Sequence, residues 1–537
     1  MNFFKKLFAF SPPEKNIPFN LSKNEISLLY DVRKTLPSTT SDCVFRDIKK
    51  NKKYLEKRFD VPHNNDVVVR DILLSGDTKA FIIFYDGMCD GTAINDGIIK
   101  ALLELPLFND EDGGYTPDDI LKKLLIHNQS RTVKKFDEIV DDINYGACAI
   151  FIDGLDTAFV ADVKNWPHRS VEKSENEQSI YGPQEAFADM LRGNTAQVRK
   201  ILKTEKVICE KVTLGKTSKT RGIIMDISDL ANESLVNEVR KRLLGISLDY
   251  VISVEEVAMM IEDNPLTITG HVLSTERPDR VARALTEGRV ALILNGNPHA
   301  LVFPTNAYEL SHTAADAYLR TNFANMSRLI RLFSMFISIF LPGLFIAITL
   351  FHEEMLPTYL LYAISASRQN VPFPSLIELL LMEFSFEAIR EAGVRMPGPL
   401  GSILGIVGGL ILGQAAVGAK IVSPIMIIIV AITGIGSFAT ANYSLGWTFR
   451  ILKFALIILG ASLGFYGIAI GSFVYITLLA TSKSLGVPFL SPLPSKSLYK
   501  KTIFVSPLWK NEQRPGFLNP KKRKREDKIS KKWMVGK

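Results

Sequence analysis

The stretch "LIRLFSMFISIFLPGLFIAITLF" (Leu329–Phe351) marks the change in sequence that decides the fold class. The residues before it have the mixed polar composition of a soluble protein, whereas runs of Leu, Ile, Val, Phe, Ala and Gly follow it as far as Leu479. Apolar runs of this length can span a bilayer. A chain of 537 residues is also too long for one ordinary domain. The sequence therefore predicts a cytoplasmic αβ head, of α+β or α/β class, followed by an all-α polytopic membrane domain.

The soluble head alternates helix and strand signals and is predicted to contain two αβ subdomains. The first covers residues 20–165 and the second covers residues 184–315, with the polar segment 166–183 as the linker. The segments "GACAIFIDGLDTAFVAD" (Gly146–Asp162) and "GRVALILNGNPHALVFP" (Gly288–Pro304) each place an Asp-Gly or Asn-Gly pair between two apolar strands. Such pairs favour tight β-hairpins. The two halves are either a duplicated subdomain or independent copies of a common hairpin.

Hydrophobic periodicity predicts further elements of the head. Helices are predicted at residues 93–105, 135–145, 184–202, 233–244 and 279–287, and strands at residues 80–85, 147–152, 222–227 and 289–294. The segment "GKTSKT" (Gly215–Thr220) has the end of a P-loop, but Glu210 stands where the earlier glycine is required. This segment is therefore predicted to be a turn between two strands.

The membrane domain is predicted to cover residues 316–482 and to contain about four spans. The spans are residues 329–351, 400–419, 421–438 and one long span within residues 451–479. An even number of crossings keeps the head and the basic tail, residues 483–537, together on the cytoplasmic side. The charged segment between the first two spans is then expected to be a re-entrant or interfacial helix. A division of residues 451–479 into two spans would reverse that expectation.

The charged segment reads "LIELLLMEFSFEAIREAG" (Leu376–Gly393). On a helix, Glu383, Glu387 and Arg390 share one face, and Glu378 lies elsewhere. An ionisable side chain at the centre of a membrane helix costs at least about 2.5–3.5 kcal/mol, so it should face protein or water. The residues alone favour two interpretations equally. The stripe either surrounds a cation pathway in an oligomer, or forms a structural Glu387–Arg390 pair near the membrane interface.

Two further features of the apolar region concern helix packing. In "GIVGGLILGQAAVGA" (Gly405–Ala419), glycines recur every fourth residue, which favours close helix contacts, with Gln414 as a hydrogen-bonding residue. The pair Pro342-Gly343 predicts a kink in the first span, which is either a static packing feature or a gating hinge. The segment 316–331, which joins the head to this span, is expected to act as a lever between them.

The basic tail carries most of the net charge of +8. Its run "KKRKR" (Lys521–Arg525) is expected to be a solvated segment that meets anionic membrane lipid, not nucleic acid. Four scattered cysteines without a C-x-x-C pair predict reduced thiols in a cytoplasmic compartment and no zinc site. The histidines show no nucleophile–base arrangement, and "FHEEM" (Phe351–Met355) lacks the second histidine of a zinc protease. The sequence therefore predicts neither an enzyme nor a bound cofactor or metal.

Several ordered motifs resemble the A subunit of the GerA-type spore germinant receptor, a family that also includes stage V sporulation protein AF. The motifs are "YGPQEAFADMLRGNTAQVRK" (Tyr181–Lys200), "STERPDRVARALTEGRVALILNG" (Ser274–Gly296), "FHEEMLPTYLLYAISASRQNVPFPSLIELLLMEFSFEAIREAGVRMP" (Phe351–Pro397), "GQAAVGAKIVSP" (Gly413–Pro424), "NYSLG" (Asn442–Gly446) and "GVPFLSP" (Gly486–Pro492). The chain departs from the family pattern at Gly193, where threonine is usual, and in its lysine-rich tail.

This resemblance implies a multi-pass protein of the spore inner membrane, with its head and tail on the spore-core side. It also implies two partners, a transporter-like B subunit that recognises the nutrient and a lipoprotein C subunit. A subunits of the family are expected to form homo-oligomeric rings that conduct monovalent cations and trigger germination. On this resemblance, Glu383 and Glu387 are favoured as pore-lining or gate-coupling residues, and the further candidates are Arg390, Glu378 and Gln414. The alternative is a non-conducting scaffold or signal relay, similar to the stage V paralogue.

Overall fold

The structure is a computed structural model, and its described residues are 42–74, 78–104, 130–165, 174, 177–265, 267–394, 400–492, 504–507 and 511–525. Of residues 394, 400–406 and 410 only the backbone is described. Most of the predicted linker, residues 166–183, lies outside these ranges, as do residues 20–41 of the predicted first subdomain.

The first half of the head is a five-stranded antiparallel sheet with helices on both faces. Its strands are β1 (Val67–Leu73), β2 (Lys79–Tyr85), β3 (Ser130–Val133), β4 (Cys148–Ile152) and β5 (Ala158–Ala161), and its helices are α1 (Ile48–Arg58), a π-helical segment (Ala93–Ile99) that continues into α2 (Lys100–Glu104), and α3 (Phe136–Asn144). The strands lie in the order β1-β2-β4-β5-β3. Successive residues of a strand point to opposite faces, so β2 packs Phe81 against α1 and α3 and Ile82 against the π-helical segment.

The second half of the head repeats this arrangement. Its strands are β6 (Val207–Leu214), β7 (Thr220–Ile227), β8 (Leu273–Thr275), β9 (Val290–Leu294) and β10 (Ala300–Phe303), and its helices are α4 (Leu191–Ile201), α5 (Glu233–Leu244), α6 (Val254–Ile261), α7 (Pro278–Glu287) and α8 (Ala307–Leu310). The order β6-β7-β9-β10-β8 matches the order of the first sheet position by position. The shared order supports a duplicated subdomain over a chance hairpin.

Both predicted hairpins are confirmed. β4 pairs with β5 and β9 pairs with β10, in each case antiparallel. At the two turns, Gly154 and Gly296 have φ angles of 86° and 78°, a conformation that glycine adopts at no steric cost. The predicted turn at Gly215–Thr220 is also confirmed, because it joins the antiparallel strands β6 and β7.

The helix predicted at residues 184–202 is too long, because α4 begins only at Leu191. The residues before it find hydrogen-bond partners outside a helix. The backbone N–H of Phe187 donates to a carbonyl of the loop after β8, and that of Ala188 donates to the side chain of Asn194. Side chains that bond to nearby backbone in this way compete with the helical ladder.

The C-terminal part is a bundle of helices, as the sequence predicted for the region after the mixed α/β head. A 3₁₀ turn (Ala314–Ala317) leads into α9 (Thr321–Phe351), a short 3₁₀ segment (Glu353–Met355), α10 (Thr358–Arg368), α11 (Ser375–Val394), α12 (Leu400–Gly418), α13 (Pro424–Phe438), α14 (Tyr443–Leu463) and α15 (Phe465–Thr481). By length and composition, α9 and α14 could each cross a membrane. α13, α15 and residues 407–418 of α12 form shorter apolar helices.

The single long span predicted within residues 451–479 is wrong. Gly464, with φ 61° and ψ −140°, separates α14 from α15. The two helices fold back on each other so closely that a Cβ on Gly467 would collide with the carbonyl of Leu459. Apolar composition cannot reveal this reversal, because the residues on both sides of Gly464 are small or apolar.

Several helix ends contact the head. Thr448, near the start of α14, donates a hydrogen bond to the carbonyl of Ile268 at 3.0 Å, and Tyr475 of α15 lies 3.3 Å from the hydroxyl of Thr269. α9 follows directly from the head, so α9 and α14 run away from the head and α15 returns to it.

The C-terminal segment 511–525 folds back onto the second half of the head. Lys521 forms an ion pair with Glu233, and Lys522 forms one with Asp229. Before it lies a small hairpin of β11 (Lys483–Ser484) and β12 (Val487–Pro488). The sequence predicted a solvated segment that meets anionic lipid, whereas in the structure these two lysines of the tail pair with carboxylates of the head.

Candidate functional site

Glu383, near the middle of α11, is fully buried. Its Oε2 lies 2.6 Å from Nζ of Lys453 on α14, and Thr433 on α13 donates a hydrogen bond to its Oε1 at 3.1 Å. Lys453 is buried as well. Such pairing is required because removal of a charge from water costs several kcal/mol unless it is compensated. The Glu383–Lys453 pair therefore ties α11 to α14 inside the bundle.

The charges continue from this pair along the same face of α11. Lys453 also lies 3.2 Å from Glu387, and Arg390 donates to Glu387 at 3.4 Å. Arg450 lies 3.8 Å from the other oxygen of Glu387. Together with Glu383, these residues form a network of two carboxylates and three cations, which we call the α11 charge cluster.

Arg390 connects the α11 charge cluster to α13. Its Nη2 donates to the hydroxyl of Ser437 and, at 3.5 Å, to the carbonyl of Gly434. Its guanidinium also lies 5.0 and 4.9 Å from the ring centroids of Phe386 and Phe438. Cation–π contacts of this kind strengthen where water is excluded. The cluster thus joins α11 to both α13 and α14.

The common face predicted for the charged residues of α11 is confirmed. This face packs against α13 and α14 of the same chain. Sequence analysis missed the two partner cations on α14. Both stand in "FRILKFALIILG" (Phe449–Gly460), and ionisable residues in so apolar a stretch are themselves a signal of a buried partner. Which carboxylates they meet depends on how α14 packs against α11, and the sequence does not give that packing.

Glu378 belongs to a separate contact nearer the start of α11. Ser423, the N-cap of α13, donates its backbone N–H and its hydroxyl to Oε1 of Glu378 at 2.5 and 2.6 Å. The positive end of the α13 dipole also stabilises a carboxylate at this position. The Oε2 atom lies 3.7 Å from Nε of Arg368. Because Glu378 meets the start of α13 and Arg390 meets its end, α11 and α13 run in the same direction.

The glycine-rich helix α12 packs closely, as predicted. A Cβ on Gly409 would lie 3.3 Å from the ring of Phe386, and a Cβ on Gly413 would lie 3.1 Å from Ile427. These contacts place α12 against α11 and α13. Gln414 is exposed on the surface of the chain, so the structure does not bring it to the α11 charge cluster.

Pro342 and Gly343 are buried inside α9, which continues through both residues. A Cβ on Gly343 would lie 3.0 Å from the carbonyl of Leu456, and a Cβ on Gly460 would lie 2.8 Å from the carbonyl of Gly343. α9 and α14 therefore cross backbone against backbone, where a larger residue would not fit. This geometry supports the packing interpretation of the Pro-Gly pair, and a hinge here stays a prediction.

A second ionic group joins the start of α9 to the head. Asp316, buried in the 3₁₀ turn, lies 3.0 Å from Nε of Arg328 and 3.0 Å from Nη1 of Arg331. Burial alone would raise the pKa of Asp316, but the hydrogen bonds and charges of Arg331 and Arg328 outweigh it and hold this pKa below its usual value. We call these three residues the α9 anchor. The anchor lies within the segment expected to act as a lever.

Comparison with known proteins places most of the chain in one family. Residues 53–517 match the model of the Bacillus/Clostridium GerA spore germination protein family. The chain is 35% identical over 484 residues to spore germination protein KA of Bacillus subtilis (strain 168), covering 89% of this chain and 87% of that protein. It is 35% identical over 429 residues to spore germination protein A1 of the same organism, covering 80% and 87%.

Two further matches extend across species. Spore germination protein GerLA of Bacillus cereus is 31% identical over 470 residues, which cover 87% of this chain and 95% of that protein. The crystal structure of the N-terminal domain of the A subunit of the Bacillus megaterium spore germinant receptor GerK3 covers 49% of this chain and 96% of its own, with 24% identity and a TM-score of 0.37. On the match across residues 53–517 and the identities with its relatives, this chain belongs to the GerA spore germination protein family.

Proposed function

We propose that this chain is the A subunit of a nutrient germinant receptor in the spore inner membrane, and that it oligomerises to form or gate a cation channel. Its family and the names of its relatives support the germination role. The gating part rests on the α11 charge cluster, because it joins α11 to α14 through ion pairs and to α13 through hydrogen bonds, and such contacts can separate and re-form. The proposal includes a transporter-like B subunit, a lipoprotein C subunit and monovalent cations as partners.

The proposed membrane topology has six crossings. α9 starts at the head, and the chain returns to the head after α15, where Ser484 donates a hydrogen bond to the carbonyl of His271. Both ends of the bundle therefore lie on one side, which requires an even number of crossings. α9 and α12–α15 supply five apolar helices. α11, whose 20 residues reach about 30 Å, is the natural sixth, in place of the re-entrant or interfacial helix that four spans implied.

The proposed gating step is the separation of the cluster. α9 begins at the α9 anchor and crosses α14 at Gly343 and Gly460, and α14 carries Lys453. A tilt of α9 driven from the head would shift α14 and draw Lys453 away from Glu383. The carboxylates would then lose their partner and attract cations, as acidic residues do in cation-selective pores.

A non-conducting scaffold or signal relay is the second candidate function. It is favoured by one observation: both carboxylates of the α11 charge cluster are paired with cations of the same chain. In this case the cluster holds the helices together and carries no ions. A subunit of this kind would transmit the nutrient signal through its partners.

Spores that combine Glu383→Gln with Glu387→Gln separate the two functions. The measurement is germinant-triggered potassium release, with subunit abundance checked by immunoblot. Glu391→Gln, which alters an exposed carboxylate on the same helix, is the matched control. Slow or absent release at normal abundance would support gating. Normal release at normal abundance would contradict gating and support the scaffold.

An exchange of charges refines this test. Glu383→Lys combined with Lys453→Glu keeps a pair between α11 and α14 but moves the carboxylate to the other helix. If the ion pair between α11 and α14 is what matters for gating, the double variant should recover the potassium release that either single variant loses. If a carboxylate at position 383 is itself needed beside the pathway, the double variant should remain impaired.

A further inference from the structure

A cavity of about 280 Å³ lies where the head, the start of α9 and the C-terminal segment meet. We call it the junction cavity. Its wall is formed by α7, by the turn before α9, and by parts of the C-terminal segment. These three regions are far apart in the sequence, so the cavity exists only when the tail is docked on the head. It is separate from the α11 charge cluster.

Five arginines line the junction cavity. Arg280 and Arg283 stand on α7, Arg289 immediately precedes β9, Arg328 lies on α9, and Arg525 comes from the C-terminal segment. Guanidinium groups stay charged at every physiological pH. So many like charges around one space are stable only if carboxylates of the protein or a bound anion offset them.

Carboxylates of the protein offset only part of this charge. Four of them line the cavity: Asp279, Glu287, Glu309 and Asp316. Two of the four also form ion pairs with arginines outside the wall: Asp279 pairs with Arg277, and Asp316 pairs with Arg331. From outside the wall, Glu177 pairs with Arg280. With it, five carboxylates are set against seven arginines, so the junction cavity keeps an excess of positive charge.

Three donor groups in the wall make no hydrogen bond with the described residues. The guanidinium of Arg283 is exposed and has no ion pair or hydrogen bond with any described residue. The Nε atoms of Arg289 and Arg525 make no hydrogen bond in the described part of the chain, although that of Arg289 lies 3.5 Å from a carboxylate oxygen of Glu287. His312 adds no charge at neutral pH, because burial and then Arg328 lower its pKa to about 3. A shielded donor without an acceptor destabilises the folded chain, and an anion that reaches it would supply the missing hydrogen bond.

We propose that the junction cavity binds a compact oxyanion of the phosphate or polycarboxylate class. Arginine recognises both groups because its planar fork donates two parallel hydrogen bonds to them. The volume lies near the lower end for small-molecule sites, which favours a ligand of few atoms with two or more anionic groups. This ligand contacts the head through Arg283, α9 through Arg328 and the tail through Arg525. It therefore links the three regions and strengthens the junction from which α9 starts.

Titration calorimetry on the full-length protein in detergent tests this site. The probes are inorganic pyrophosphate and, separately, citrate, at an ionic strength held constant with NaCl. We expect saturable binding of at least one of them. Arg283→Gln should weaken that binding about tenfold, the effect of one charged hydrogen bond, while the exposed position leaves folding intact. Arg46→Gln removes an exposed arginine from the first half of the head and should leave binding unchanged.

A second variant should change the affinity in the opposite direction. Glu287→Gln removes a carboxylate that competes for Arg525 and Arg289, so it should tighten binding severalfold, an effect that damaged folding would not produce. The site is refuted if neither probe binds saturably, if Arg283→Gln binds as tightly as Arg46→Gln, or if Glu287→Gln fails to tighten binding.

Discussion

Two ionic groups hold the helical part in place, and they differ in what surrounds them. In the α11 charge cluster, Glu383 and Lys453 are 0% and 2% exposed and lie inside the bundle. In the α9 anchor, at the edge of the head, Asp316 is also buried, but the side chains of Arg328 and Arg331 are 12% and 11% exposed. The adjoining cavity has the exposed Arg283 in its wall. A buried charge without a partner has no water to replace the lost contact, whereas an exposed one does. Similar residues therefore lock helices in one region and leave a surface able to receive a ligand in the other.

The largest expected effect is that of Lys453→Met, which tests the buried side of this contrast. It leaves Glu383 without its cation in the interior, so we expect a loss of about 3–5 kcal/mol in unfolding free energy. Chemical unfolding of the detergent-solubilised chain measures it.

The control for this prediction is Lys453→Met combined with Glu383→Gln. With both charges of the pair removed, most of the lost stability should return, because no unpaired charge remains at that position. If the single variant were as stable as the wild type, the α11 charge cluster would not be a buried lock, and the contrast between the two regions would fail.

Asp316→Asn should have an intermediate effect at the edge of the head. It weakens the charged hydrogen bonds to Arg328 and Arg331, which are worth roughly 1.5–3 kcal/mol. Because the folded-state pKa of Asp316 is held below its usual value, this stability is complete above a pH of about 4 and is lost as the pH falls through the folded-state pKa. Unfolding of variant and wild type should therefore differ at pH 6 and converge at lower pH. A difference that stays constant with pH would exclude this linkage.

The smallest effect is expected for Lys522→Gln on the docked tail. Its pair with Asp229 is partly exposed, and Asp229 keeps a second partner in Lys206, so the loss of Lys522 should change the unfolding free energy by about 0–1 kcal/mol. The difference should disappear in 1 M NaCl, where the screening length falls to about 3 Å. The measurement is the unfolding free energy of Lys522→Gln and of Lys453→Met at low and at high salt, which compares the loss at the surface with the loss in the interior. Equal losses of unfolding free energy for the two variants would contradict the contrast between surface and interior.

Local sequence was sufficient wherever one short signal controls a short structure. The pairs Asp153-Gly154 and Asn295-Gly296 predicted both hairpins, because the left-handed backbone of a tight turn is available to glycine. Helix α5, Glu233–Leu244, was predicted at its exact ends, since Asn232 caps it and the helical period runs between the caps. Such signals depend on neighbours along the chain alone.

Local sequence was insufficient wherever the answer lay in a distant segment. Gly464 looks like any other glycine of the apolar region, and only the packing of α15 on α14 makes it a reversal. The charged face of α11 was visible, yet its partner Lys453 lies 70 residues away. The tail's lysines gave no indication that they would meet Asp229, which stands in the second half of the head.

The sequence by itself determined the family, the division into a mixed α/β head and a helical part, and the shared face of Glu383, Glu387 and Arg390. These follow from composition, motif order and helical period, which are properties of neighbouring residues. The tertiary structure alone decided that this face pairs with α14, that α9 crosses α14 at Gly343, and that five arginines enclose a cavity. Each depends on which surfaces meet when the chain folds, because charge pairing and backbone contact act between segments that the sequence leaves far apart.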